Sequence, residues 1–127
     1  MELQQLIVEA WANRDLLKEA KYADAVRNVL EEVDKGRLRT ASPSADGWQV
    51  NEWVKQAILM YFAIQQMETY TLPPFEFYDK MKLKSDYAAL GVRAVPHAVA
   101  RYGAYLAKNV VLMPSYVNIG AYVDEGT

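Results

Sequence analysis

A six-residue spacing of apolar side chains in the C-terminal part of the sequence restricts the fold more than any other feature. Two columns keep their apolar character over four repeats, and a third keeps it over three. A helix would drift off this period because six is not a multiple of 3.6, and a plain strand would repeat every two residues. The pattern predicts short strands that alternate with tight corners and stack in parallel, as in a hexapeptide β-helix. The columns are Tyr105, Val111, Val117 and Val123; Ala104, Val110, Tyr116 and Tyr122; and Ala107, Met113 and Ile119.

The residues between these columns suit the corners of such a coil. Gly120 and Gly126 can take a positive φ without strain because glycine has no Cβ. The alternative is an ordinary β-meander in which apolar residues recur by coincidence. Residues 101–127 make about one and a half coils at three hexads per coil, whereas solenoids need about three repeats to be stable. We therefore expect the sequence to be the front part of a longer protein.

The N-terminal half follows a helical period instead. Two stripes of apolar residues recur every three or four positions, which predicts two amphipathic helices. Gly36 follows the second stripe and predicts the end of that helix. Asp46-Gly47 lies between two short alternating segments, which predicts a small β-hairpin. The stripes are Leu3, Leu6, Ile7, Ala10 and Trp11, and then Val26, Val29, Leu30 and Val33.

A third helix is predicted over about residues 52–64, with Asn51 as its N-cap. Its apolar residues nearly encircle it, so we expect it to be the central, buried helix of the N-terminal part. A proline pair then excludes a helix. Residues 67–84 are predicted to form a loop, or an edge strand whose lysines discourage pairing with another strand. A short helix is predicted from Ser85 up to Gly91. These lysines are Lys80, Lys82 and Lys84.

These patterns predict an α+β fold with two parts. Residues 1–92 are expected to form a helical domain with a small β-hairpin, and residues 93–127 the first coils of a parallel β-helix. The net charge of −2 argues against nucleic acid and against a polybasic membrane contact. The absence of cysteine removes thiolate nucleophiles and thiolate metal sites. The N-terminus lacks the basic region of a signal peptide, and the longest apolar run, residues 57–64, is too short to span a bilayer, so we expect a soluble cytoplasmic protein.

Several longer strings resemble one enzyme family, the tetrahydrodipicolinate N-succinyltransferases. The most specific is LMPSYVNIGAYVDEGT, which lies within VRAVPHAVARYGAYLAKNVVLMPSYVNIGAYVDEGT. The N-terminal half of the same enzymes is similar to DKGRLRTASPSADGWQVNEWVKQAILMYF and to FYDKMKLK. The resemblance covers nearly the whole chain. One local departure is Lys82, where relatives often carry a proline.

The resemblance implies a left-handed parallel β-helix after the helical domain, and a homotrimer. The implied reaction transfers a succinyl group from succinyl-CoA to the amine of ring-opened tetrahydrodipicolinate, in lysine and diaminopimelate biosynthesis. Succinyl-CoA is then a co-substrate, and the resemblance implies no permanently bound cofactor. The resemblance places the catalytic residues, a substrate-binding aspartate and the coils that hold CoA beyond Thr127. The chain is therefore expected to supply only part of a site and to be inactive alone.

In that family an arginine just before the β-helix binds the acceptor dicarboxylate, and the matching residue here is Arg93 in GVRAVP. A guanidinium suits this role because it makes two parallel, charge-assisted hydrogen bonds to a carboxylate. The alternative is a structural ion pair at the junction of the two parts. Arg101, in the first hexad, is a second candidate contact, for an anionic substrate or for a neighbouring subunit. Its alternative is a solvated corner residue.

Other polar residues are predicted to be structural. His97 is the only histidine, so it cannot build a three-histidine zinc site, and no metal is expected. Its alternative role is a general base. Asp124 and Glu125 are adjacent and would point to opposite faces of a strand, which makes them a poor acid–base pair.

The aromatic residues are predicted to pack. Tyr116 and Tyr122, six residues apart, are expected to stack on one face of the coil, with a subunit contact as the alternative. Tryptophans usually bury a large apolar surface, so the three of this chain are expected in the core of the helical part. They are Trp11, Trp48 and Trp53.

Two other functions stay open at this point. The protein could be a related hexapeptide-repeat transferase that uses acetyl-CoA or another acceptor, because acyl choice is set in coils that the sequence does not contain. It could also be a non-catalytic folding or trimerisation module. Comparing the use of succinyl-CoA and acetyl-CoA separates the succinyltransferase from the related transferase. The oligomeric state of the chain tests the folding or trimerisation module.

Overall fold

The computed structural model describes residues 2–127, and the chain up to residue 64 is mainly helical. Both predicted apolar stripes lie on helices, and Gly36 follows the second helix with φ at +77°. This part of the sequence-based prediction is confirmed. The helices are α1 Glu2–Ala12, a 3₁₀ helix Arg14–Lys18, α2 Ala20–Asp34 and α3 Glu52–Ile64.

The helical core lies where α1, α2 and α3 meet. α3 packs against both other helices, and its Val54, Ala57 and Met60 have no exposed surface. Ile7 of α1 and Leu30 of α2 are fully buried in the same cluster. α3 is therefore the central helix, as its apolar circumference predicts.

Asn51 precedes α3, but its side chain does not cap the helix. Its Nδ2 atom donates to the backbone oxygen of Arg39 at 2.8 Å and to Oγ of Ser42 at 2.9 Å. The residue therefore ties the start of α3 to the chain that enters the first hairpin. The predicted position of the N-cap is right, and the predicted hydrogen bond is wrong.

Two antiparallel hairpins flank α3. The first forms at the predicted place, but its two loop residues are Ala45 and Asp46, because Ser44 pairs with Gly47. The second forms where the sequence predicts only a loop or an edge strand. Its two prolines occupy the turn, so neither removes a donor from the ladder. The strands are β1 Ala41–Ser44, β2 Gly47–Val50, β3 Glu68–Leu72 and β4 Phe75–Asp79.

The segment between the second hairpin and the coil covers one strand edge of the coil. Leu83 forms an antiparallel bridge with Arg101, and the Lys84 amide donates to the Ala100 oxygen at 2.8 Å. The lysines of this segment therefore follow β4 rather than guard it. A short helix, α4 Tyr87–Leu90, comes next and ends at a glycine with φ at +74°, as predicted.

Six two-residue strands then form a three-sided coil. Each strand of the first turn pairs in parallel with a strand one turn later: β5 with β8, β6 with β9, and β7 with β10. Parallel pairing between strands three places apart excludes the predicted alternative, an antiparallel meander. The strands are β5 Arg93–Ala94, β6 Val99–Ala100, β7 Tyr105–Leu106, β8 Val111–Leu112, β9 Tyr116–Val117 and β10 Tyr122–Val123.

The period of six slips once inside the coil. β8 begins at Val111 and β9 begins at Tyr116, five residues later. Tyr105 therefore pairs with Tyr122, and not with Val123 as a strict period would require. The first two predicted columns are continuous in the sequence but change strand position at this slip.

The second residue of each strand forms the interior of the coil. Ala100 is fully buried, and Leu106 and Leu112 are 2% and 6% exposed. Gly120 has φ at +92° and Gly126 has φ at +77°, as predicted for corner positions. Among residues 2–127, none of the helices combines the length and the apolarity that crossing a membrane requires.

Candidate functional site

Arg93 opens the first strand of the coil and lies on its outside. Its backbone amide donates to the Val110 oxygen at 3.0 Å, and Val111 is its neighbour in the next turn. The side chain is exposed and makes no hydrogen bond or ion pair with any residue of the described chain. The backbone is therefore fixed by the ladder while the guanidinium stays available to a ligand.

The neighbour of Arg93 in the next turn is an exposed apolar residue. Val111, which pairs with Arg93, is 45% exposed, and Met113, two residues further along the chain, is 62% exposed. A charged donor beside exposed apolar side chains can bind an organic acid, because the carboxylate takes the guanidinium and the carbon chain takes the apolar surface. The alternative prediction, a structural ion pair of Arg93 within the chain, has no carboxylate partner between residues 2 and 127.

Arg101 has a different environment. Its Nη2 donates to both oxygens of Asp79, at 3.0 and 2.8 Å, and its Nη1 donates to Oδ1 of Asn118 at 2.9 Å. Its guanidinium also lies 5.4 Å from the centre of the Phe62 ring, and its side chain is only 14% exposed. Burial raises the pKa of Asp79, but the hydrogen bonds from Arg101 and the Lys80 amide, together with the Arg101 charge, outweigh it and bring the pKa below its usual value. Arg101 is thus not a solvated corner residue, and its contact with a substrate or a subunit stays a prediction.

A buried charged cluster at the joint of the two parts was missed by sequence reasoning. Asp34, at the end of α2, is 5% exposed. It accepts hydrogen bonds from Nζ of Lys84 at 2.5 Å, Nζ of Lys35 at 2.9 Å and the amide of Gly103 at 3.0 Å. The only sequence signal for it is an aspartate in the last turn of an amphipathic helix, where the negative end of the helix dipole is unfavourable for a carboxylate.

The charges of this cluster are matched. Burial raises the pKa of Asp34, yet the hydrogen bonds from Lys84, Lys35 and the Gly103 amide bring the pKa below its usual value of 3.8. Beside it, Tyr102 donates its hydroxyl to Glu31 at 2.6 Å. Burial and this bond raise the pKa of Tyr102, and the same bond lowers that of Glu31. A cavity of about 230 Å³ opens here, but Asp34, Glu31, Lys35 and Lys84 are already paired with one another or with Tyr102, so the cluster fits a structural joint.

The aromatic side chains are arranged differently from the prediction. Tyr122 packs on Tyr105, one turn away, with 4.8 Å between ring centres, while Tyr116 lies on another strand and is 61% exposed. The expected stacking of Tyr116 on Tyr122 is therefore wrong, because the three sides of the coil separate consecutive strands. Trp48 is also not a core residue: it lies on β2 and is 68% exposed.

The other polar candidates are exposed. His97 contacts the Phe75 ring edge-on at 6.5 Å between ring centres. Asp124 accepts a hydrogen bond from the backbone amide of Glu125 at 2.7 Å, which is a local turn contact. Within residues 2–127, no group of three or more His, Cys, Asp or Glu side chains could hold a metal ion.

Comparison with known proteins yields one consistent result. Residues 2–64 match a family described as tetrahydrodipicolinate N-succinyltransferase N-terminal. The chain is 49% identical, over 98% of its length, to the 2,3,4,5-tetrahydropyridine-2,6-dicarboxylate N-succinyltransferase of Paraburkholderia phymatum. It is 47% and 45% identical to the proteins of that name from Paraburkholderia xenovorans and Burkholderia multivorans, again over 98% of its length. The chain spans about half the length of these curated relatives.

Proposed function

Because the chain belongs to the tetrahydrodipicolinate N-succinyltransferase family, we propose that the protein containing it transfers succinyl from succinyl-CoA to ring-opened tetrahydrodipicolinate. This reaction belongs to lysine and diaminopimelate biosynthesis. The single observation that carries the role of this chain is Arg93, an exposed guanidinium without a carboxylate partner among the described residues. It lies in the GVRAVP segment, at the start of the coil.

The chemistry is a direct acyl transfer. The uncharged amine of the acceptor attacks the thioester carbonyl of succinyl-CoA, the C–S bond breaks, and an amide forms as CoA leaves. The amine proton passes to a base, and the sulfur leaves as a thiolate or takes up a proton. Arg93 orients the acceptor by holding one of its carboxylates in two parallel hydrogen bonds. The groups that activate the amine and hold CoA are expected beyond Thr127, and no permanently bound cofactor is needed.

The proposal also includes an architecture. The coil is taken as the start of a left-handed β-helix, beginning at residue 93 after a helical domain of residues 1–92. The parallel pairing of strands three places apart supports this continuation. A homotrimer is supported by the exposed apolar side chains on the outside of the coil, Val111, Met113 and Tyr116. In that assembly the acceptor would lie in a cleft between adjacent coils, and Arg101 is a further candidate contact there. A cytoplasmic location stays a prediction from the sequence.

Replacing Arg93 tests the role of this chain. In the whole enzyme we expect Arg93→Ala to raise KM for the dicarboxylate about ten- to a hundred-fold, because a hydrogen bond to a charged group is lost. KM for succinyl-CoA should stay unchanged. Arg14→Ala is the matched control, since Arg14 also has no carboxylate partner within the described residues but lies on the helical part. An unchanged acceptor KM in the Arg93 variant would contradict the role.

The choice of acyl donor needs its own comparison. A related transferase that prefers acetyl-CoA would share the coil and the arginine. We expect kcat/KM to be higher for succinyl-CoA than for acetyl-CoA, measured with the same acceptor in the whole enzyme. The opposite preference would keep the fold and the family and would replace the proposed donor.

A further inference from the structure

The six arginines of the chain fall into two groups. Three form ion pairs with carboxylates, and three have no carboxylate partner among residues 2–127. Of the second group, Arg93 is already placed in the proposed site, and Arg14 lies over the Trp11 ring at 4.1 Å. Arg39 remains. The paired arginines are Arg27 with Asp24, Arg37 with Glu32, and Arg101 with Asp79.

The guanidinium of Arg39 lies close to two aromatic rings. It lies 3.6 Å from the centre of the Tyr122 ring on β10 and 5.4 Å from that of Trp48 on β2. Tyr105 supports Tyr122 from the neighbouring strand. Both distances fall within the range in which a cation is attracted to a ring face.

The donors of Arg39 are not used inside the chain. Its Nε atom is buried and has no hydrogen-bond partner, as is also true of Nε of Arg101, so Nε is out of reach of a ligand. The two Nη atoms also make no hydrogen bond within the described chain, and they are not enclosed. The two Nη atoms form the end of the guanidinium, which can bind a carboxylate or phosphate through two parallel hydrogen bonds.

The backbone of this residue is fixed as well. The oxygen of Arg39 accepts the Nδ2 hydrogen bond of Asn51 at 2.8 Å. The next residue, Thr40, exchanges contacts with both parts: its oxygen accepts from the Asn51 amide at 2.8 Å, and its hydroxyl donates to the Gly120 oxygen at 3.4 Å. An anion that binds here therefore meets a preorganised donor rather than a mobile surface arginine.

We propose that the two Nη atoms of Arg39, beside Trp48 and Tyr122, form a binding site for an oxyanion, a carboxylate or phosphate group of a small molecule. The site lies over the β7–β10 side of the coil, whereas Arg93 lies on the β5–β8 side. It is therefore a second anion site, and it does not rest on succinyl transfer. The exposed Trp48 ring beside it offers a flat apolar surface for the rest of the ligand.

NMR titration of the chain tests this site without an activity assay. Glutarate and inorganic phosphate are added separately at constant ionic strength, and the signals of Arg39 Nε–H and Trp48 Nε1–H are followed. We expect saturable shifts of both signals. Tighter binding of glutarate identifies a carboxylate site, and tighter binding of phosphate identifies a phosphate site. Shifts that grow linearly with either anion would overturn the proposal.

Two variants and one control separate the site from general charge effects. Arg39→Gln should weaken binding about ten- to a hundred-fold, read from Trp48 Nε1–H. Arg39→Lys keeps the charge on the rings but has no planar fork, so it should bind the anion about tenfold more weakly than wild type, and it serves if the glutamine variant does not fold. Arg14→Gln removes the other ring-stacked arginine and should leave the affinity unchanged. Equal weakening in the Arg14 and Arg39 variants would contradict a specific site.

Discussion

The helical part and the coil are stabilised in different ways. The helical part buries large side chains completely, such as Ile7, Leu30 and Met60, in a core closed by three helices. The coil has a smaller buried cluster, with Leu106 and Leu112 as its largest members. The helical part thus has the larger core, while the coil combines a small core with parallel ladders between its two turns.

Because the helical part has the larger core, the contacts that join it to the coil can stabilise the coil. The end of α2 holds the corner at Gly103 through Asp34, and the Leu83 bridge covers a strand edge of the first turn. Each link connects the well-packed part to the coil. We infer that the helical part holds the first turn of the coil in place, and with it the backbone of Arg93. Four changes test this comparison.

Removing the buried charge of the joint should have the largest effect. Asp34→Ala leaves Lys84 buried with its charge unpaired, and breaking such a pair costs about 3 to 5 kcal/mol. We expect the coil amides to lose protection from hydrogen exchange before those of α1 and α3. Asp24→Ala, on the same helix, removes an exposed ion pair with Arg27 at 3.6 Å and should cost less than about 1 kcal/mol. Equal loss of protection in both parts would contradict a separate joint.

A cavity in the helical core should be nearly as costly. Leu30→Ala removes a fully buried side chain, and such changes lower the free energy of unfolding by about 2 to 5 kcal/mol. Leu59→Ala is the matched control, because Leu59 is 48% exposed on α3. Urea unfolding measures both. If the helical part stabilises the coil, the coil amides of the Leu30 variant should also exchange faster than those of wild type. A coil left at wild-type protection would show that it is independent of the helices.

Filling the corner at Gly103 should destabilise the contact between the coil and the helical part. A Cβ at this position would lie 2.6 Å from Cγ1 of Ile119 and 3.2 Å from Cδ1 of Leu30, in a backbone with φ at +92°. We expect Gly103→Ala to cost about 2 to 4 kcal/mol, from left-handed strain of about 1 to 2 kcal/mol plus overpacking. Gly126→Ala has a similar φ of +77° with open space around it, so it measures the strain alone. Similar losses for the two variants would mean that the close contact with Ile119 is unimportant.

The pH dependence of the joint should be the smallest effect. The pKa of Asp34 is below 3.8 in the fold, because hydrogen bonds from its lysines and the Gly103 amide outweigh its burial. The carboxylate therefore stabilises the fold above its unfolded pKa, and this contribution is lost as the pH falls through the folded pKa. The advantage of wild type over Asp34→Asn should be constant near neutral pH and shrink below 3.8. A stability advantage of wild type that grows as the pH falls would contradict a lowered pKa of Asp34 in the fold.

The sequence predicts the helices well because their apolar periods are local. The stripes on α1 and α2 and the extent of α3 follow from spacing alone. The parallel coil is also predicted, because a period of six fits neither helix nor plain strand. Its register is not: the slip to five residues between Val111 and Tyr116 shows only in the pairing of strands one turn apart.

The site is predicted less completely. Arg93 is found through a resemblance of sequence strings, and its exposure agrees with a ligand-binding role. The Asp34 cluster and the Arg39 stack join residues more than 40 positions apart along the chain, and no local pattern announces such contacts. The prediction that Trp48 lies in the core is wrong for a similar reason. Its residue type favours burial, but its position on the hairpin leaves it exposed.

The most direct test of the proposed function is acceptor-dependent release of CoA by the whole protein that carries this chain. Succinyl-CoA is supplied with and without tetrahydrodipicolinate, the freed thiol is measured, and the product is identified by mass spectrometry. We expect one CoA released for each N-succinylated dicarboxylate formed, and strong loss of this turnover at low acceptor concentration in Arg93→Ala. Thiol release that does not depend on the dicarboxylate, or an acceptor product without a succinyl group, would contradict the proposed reaction.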